Sequence, residues 1–106
     1  MSIQKNLYRT KLKKCGTNPM TGFYRDGYCN TGPDDKGTHT VCSIMTDEFL
    51  DFAISKGDDL STGTLHKLKE GDNWCLSALQ YKQAQQYCKQ PQMIHESTNI
   101  KTLDYL

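Results

Sequence analysis

Between Cys15 and Cys42 the chain gathers most of the side chains that could do chemistry. Cys29, His39 and an Arg25-Asp26 pair stand there among Gly22, Gly27, Gly32 and Gly37, and Cys75 and Cys88 follow later. Arg25 carries a planar guanidinium suited to a carboxylate or phosphate, and glycines around it imply a built turn rather than a slack connection. Asp26 is placed to brace Arg25 or the turn, and His39 with Asp72 is expected to line the opposite wall. Arg25, Asp26, His39 and Asp72 are therefore the ligand-binding candidates.

Cys29, Cys42 and Cys75 are the candidates for reactive thiols or metal ligands. His39-x-x-Cys42 has metal-ligand spacing, and Cys15, Cys29 and Cys75 could complete a set. Structural zinc sites usually draw on close Cys-x-x-Cys pairs, which this sequence lacks, so no metal and no cofactor is expected. A nucleophilic thiol partnered by His39 would need the strand to begin after His39, because residues 39 and 42 of one strand point to opposite faces. The plainer reading makes Cys42 and Cys75 small buried hydrophobes on strands. The segment Gly32 to Thr38 is no phosphate loop, lacking the lysine after its second glycine. Asp34-Asp35 and Asp58-Asp59 do not follow a calcium-ligand pattern and read as solvated turns.

Composition narrows the class. At 106 residues the chain is one domain, and a hydrophobic fraction of 36% with a mean hydropathy of -0.72 leaves it a small core. No apolar run reaches membrane-spanning length, and Met1 to Lys5 leads into basic, polar sequence rather than a signal core. Five cysteines form an odd count, and no glycosylation sequon occurs. The expectation is a soluble cytoplasmic protein with reduced cysteines and no disulfide holding the fold. Residues 1–25 hold six Lys/Arg and no acid, whereas 26–72 hold four against ten Asp/Glu. That acidic middle argues against a nucleic-acid face, and the basic stretch reads as a solvated arm or one that pairs with the acids.

The elements that must position these residues follow in order. Residues 1–14 form a basic arm or edge strand and 15–39 a Cys/Gly-rich loop region. Thr40 to Met45 is the clearest strand, apolar on both parities except at Ser43, and so buried on both faces. Thr46 caps a helix ending by Gly57, with Phe49, Leu50, Ala53 and Ile54 inward. Asp58 to Asn73 is a long connection. A strand from Trp74, itself expected to be mostly buried, runs into a helix over about 79–89 whose inward stripe is Leu79, Gln83, Ala84, Tyr87 and Cys88. Pro91 ends that helix, Met93 to His95 is a short strand, and Ile100 to Leu106 a closing turn or helix. The sum is α+β: a small single domain, 1–106, with a few-stranded sheet, two main helices and long glycine-rich loops.

Asn6, Leu12, Cys15, Pro19, Thr21 to Gly27, Cys29 to Pro33, His39 to Cys42 and Thr46 form a distinctive series. Phe49-Leu50, Asp59 to Thr62, Leu68, Gly71-Asp72 and Trp74-Cys75-Leu76 extend it. In this order they resemble the small bacterial family catalogued as domain of unknown function 2237. The resemblance covers nearly the whole chain and implies no particular activity. The chain departs from it at Tyr28-Cys29, where the family tends to have Cys-Cys, at Trp74-Cys75-Leu76-Ser77, where it tends to have Trp-Cys-Leu-Cys, and at Thr98-Asn99, where it tends to have Thr-His.

Two functions are compatible with these residues. The first is a small binding or accessory domain with a polar, anion-accepting site at the 22–39 loop. The second is a small thiol- or metal-dependent enzyme using Cys and His of the same region. A small anionic ligand is the partner the first implies; the sequence is silent on oligomeric state.

Overall fold

The computed structural model describes residues 4–56 and 67–106. The elements are β1 (Val41–Ile44), α1 (Asp47–Ser55), β2 (Asn73–Leu76), α2 (Ala78–Gln86) and β3 (Gln92–Met93), followed by 3-10 turns at His95–Ser97 and Ile100–Asp104. β1 is the middle strand of three, antiparallel to both neighbours. The fold is thus the small α+β domain expected.

Both faces of β1 are buried, as its doubly apolar sequence predicts. Directly opposed residues of an antiparallel pair point the same way, so the register sorts them into two sets. Val41 and Ser43 face with Leu76 and Trp74, and Cys42 faces with Cys75. The first set joins Met45, Phe49, Leu50, Ala53, Tyr81 and Ala84 in the apolar core under the helices. The second belongs to a separate cluster of Cys15, Cys29, Cys42 and Cys75, with Ile94 against it.

The helices form for local reasons. Thr46 accepts a hydrogen bond from the Phe49 amide at 3.1 Å, and Asp47 and Glu48 occupy the first turn, where carboxylates suit the helix dipole. Phe49, Leu50 and Ala53 are buried and Ile54 half so. The stop assigned to Gly57 lies outside the described residues, as do Asp58-Asp59 and the first part of the long connection. Ser77 caps α2. The inward residues there are Ala78, Tyr81 and Ala84, while Leu79, Tyr87 and Cys88 are exposed, so the expected stripe is corrected by about a third of a turn. The cap at Ser77 starts the helix earlier than Leu79 suggests, and small Ala78 takes the packed position. Burial pushes the Tyr81 phenol up from its ordinary value.

Trp74 is half-buried rather than enclosed, with the Arg25 guanidinium 5.5 Å from its ring centroid. Residues 5–14 do not form an edge strand. They make a tight reversal through the bridge Lys5↔Lys11, and the wholly buried Asn6 amide fastens it by donating to Glu96 O at 3.0 Å.

The main correction concerns the cysteines. Cys15 is bonded to Cys42 and Cys29 to Cys75, so the expectation of reduced thiols does not hold in this structure. An odd count misleads because four cysteines pair and Cys88 is left as an exposed free thiol.

Among the described residues, Ser43 Oγ has no hydrogen-bond partner, though it is buried on the helix side of the sheet. An orphaned hydroxyl costs roughly 1–3 kcal/mol, so Ser43→Ala is expected to raise stability by about 1 kcal/mol in urea denaturation. A clear loss of stability would show that the hydroxyl is satisfied.

Candidate functional site

The 15–39 segment is fixed at many points. Cys15 and Gly16 both donate their amides to Gly27 O, and Thr21 Oγ1 accepts the Cys75 amide at 2.9 Å. Gly22 adopts φ +99, and a Cβ there would collide with Tyr28 O. Only glycine makes that approach without strain.

Within this frame Arg25 and Asp26 do not pair. Asp26 accepts from the Tyr28 amide and from Asn30 Nδ2, both at 3.0 Å, so it braces the turn. Arg25 has φ 56 and lies over Trp74. Among the described residues it forms no ion pair.

His39 stands just before β1. Its Nδ1 is 2.7 Å from Asp35 Oδ1, and its backbone amide donates to Asp35 Oδ2 at 2.8 Å. Thr31 Oγ1 donates to the same oxygen. These contacts compensate a carboxylate whose side chain is fully buried. The ring stacks near Phe23, with centroids 6.2 Å apart, and Phe23 meets Tyr24 edge-on. A Cβ on Gly37 would stand 2.5 Å from His39 Cε1, so glycine keeps that edge of the ring clear.

Asp72 is elsewhere. Its carboxylate accepts the Lys69 amide and its carbonyl the Met45 amide, at the end of β1 away from His39. Six residues of extended chain separate the two ends by about 20 Å, so His39 and Asp72 do not face each other. Nor does His39 join the sulfurs. Cys29, Cys42 and Cys75 are buried in disulfides, and no bonded sulfur is a nucleophile in this form.

The same loop has another side. A groove of about 770 Å³ opens there, lined by Thr31, Gly32, Asp35, Lys36, Lys5 and Lys101, among others. Gln4 clamps its rim, donating to Thr31 O at 2.7 Å and accepting the Thr31 amide at 3.0 Å. Asn99, wholly buried, donates to Cys29 O and accepts the Lys101 amide. Tyr105 receives the Thr38 hydroxyl. Lys5, Lys36 and Lys101 thus come to one groove from three distant segments, against the exposed acid Asp104. Sequence reasoning missed these lysines, since nothing local links residues 5, 36 and 101. Asp35 was misread as solvated, though a carboxylate four residues before a histidine is a usable hint.

The family model described as "Uncharacterized protein conserved in bacteria (DUF2237)" matches residues 5–106. The chain belongs to that family. None of the curated proteins matches the chain. Asn99 of this DUF2237 chain lies on the groove itself. Among its described residues no helix is long and apolar enough to cross a membrane.

Proposed function

We propose that this DUF2237 chain is a small binding domain that takes a small anionic molecule on its glycine-rich loop, in the groove between Lys5, Lys36 and Lys101. The convergence of those three cations carries the reading. Clefts of about 300–1,000 Å³ with a few placed polar groups are typical of small-molecule sites, and this groove falls in that range. Its walls are held by buried amide and carboxylate contacts, so little order would be lost on binding. A second hollow of similar volume, beside Tyr81 and Met93, carries no lysine or arginine. Arg25 and His39 stay outside the lining of the groove, and the thiol-enzyme alternative has no free sulfur among Cys29, Cys42 and Cys75 in this form.

The test is a titration of labelled protein with pyrophosphate and with citrate, followed by amide NMR shifts. Shifts are expected at residues 31–38 and 99–105, and salt should weaken them. Lys101→Gln should weaken binding about tenfold, the equivalent of ~1.4 kcal/mol for one charge-assisted contact. Arg25→Gln should leave it unchanged. If Arg25→Gln abolished binding while Lys101→Gln did not, the site would lie on the Trp74 side of the loop instead.

A cytoplasmic location is part of the same proposal. It carries a condition, because the cytosolic glutathione pool reduces accessible disulfides.

A further inference from the structure

The four paired cysteines lie closer together than two separate staples require. The sulfurs of Cys15, Cys29 and Cys75 are all within 4.8 Å of one another, although Cys15 is not bonded to either of the others. Cys42 is bonded to Cys15 and belongs to the same buried cluster, although its sulfur lies outside that group of three. All four residues are at least 96% buried, in a pocket closed by Ile94. Two of them are register partners on adjacent strands, and the others arrive from a loop pinned by backbone hydrogen bonds.

Once reduced, such a cluster would place four thiols in one dry pocket. In a tetrahedral thiolate site with metal–sulfur bonds of about 2.3 Å, the sulfurs stand about 3.8 Å apart. Three of the sulfurs already lie within 4.8 Å of one another, and the fourth, Cys42, is freed to join them when its bond to Cys15 opens. We propose that the reduced protein binds one soft divalent metal ion, zinc or a congener, through Cys15, Cys29, Cys42 and Cys75. The cluster is then a redox-linked site, with two disulfides in one state and a tetrathiolate metal centre in the other. His39 takes no part, because its ring is held by Asp35.

The chemistry balances with a named reductant. Each disulfide takes two electrons and two protons. A phosphine supplies the electrons, becoming its oxide with the oxygen of one water, and two phosphines give four thiols. The metal ion then replaces four protons, leaving a centre of net charge −2. Reoxidation by an azodicarboxamide, which takes two electrons from each pair of thiolates and two protons from solvent to become the hydrazine, re-forms both bonds and expels the ion. The ligands lie far apart in sequence, so metal binding would be tied to folding rather than to a short motif.

The test uses the full chain, reduced with a phosphine under anaerobic conditions and titrated with Co(II), then with Zn(II). The expected result is one equivalent per chain, the visible absorption of tetrahedral cobalt, sulfur-to-metal charge transfer from four thiolates, and displacement by zinc. Cys88→Ser, which removes the free exposed thiol, should leave all of this unchanged. Cys29→Ser should lose the four-thiolate spectrum. Should that variant fail to fold, the wild-type charge-transfer intensity and circular dichroism during titration still report whether metal restores structure through four sulfurs. No stoichiometric binding, or binding that depends on Cys88 and not on Cys29, would overturn the proposal. The outcome is independent of the groove, because neither the metal nor these variants touch Lys5, Lys36 or Lys101.

Discussion

Reduction with a phosphine in the presence of a chelator is expected to lower the melting temperature by roughly 15–30 °C for the loss of a single disulfide, and to unfold the protein when both are lost. The two bonds span sequence separations of 27 and 46 residues. In the chain-entropy account, releasing loops of those lengths returns about 4 kcal/mol each to the unfolded state. Because small domains have only about 5–15 kcal/mol of net stability, loss of both bonds approaches the whole. The four sulfurs also fill the second core, with Ile94 as the adjoining hydrophobe, so little else there can compensate. The check is a pair of thermal melts, with and without phosphine, under chelation. Superimposable curves with both bonds demonstrably reduced would refute the expectation.

Phe49→Ala should cost about 3–5 kcal/mol. Phe49 is 1% exposed and heads the group of largest fully buried side chains. Its neighbours in the apolar core come from both helices and from β1 and β2, so the cavity left behind cannot be closed by moving one element. Urea denaturation should show a lower midpoint at an unchanged slope. Phe52 provides the contrast. It is half-buried, beside Tyr87 and Lys56, and its truncation should cost much less. A loss under about 1 kcal/mol at Phe49 would mean that the core is not organised around α1.

What was legible in the sequence was local. β1 announced itself by β-branched and apolar residues on both parities, and α1 by a threonine cap, two acids and a spaced apolar stripe. Asn6 stood out only in the family resemblance, and its role was not legible, because its amide reaches a carbonyl 90 residues away and periodicity registers no such partner. The cysteine pairing was hidden for a related reason. It depends on Cys42 meeting Cys75 across a strand pair, and on the 15–39 loop folding over that face. Arg25 and Asp26 were rightly read as parts of a built turn, yet the cations that share a groove belong to segments with no common pattern.

β1 separates two cores of different chemistry, one apolar and one of sulfur, with neighbouring residues committed to each. A one-residue insertion or deletion in 41–44 would therefore do more than shift a strand. It would present cysteine to the helices and valine or serine to the loop, spoiling both cores in a single event. Variation in this strand is accordingly confined to substitution. Length changes that preserve the fold have to fall in the loops, where the chain's contacts do not depend on parity.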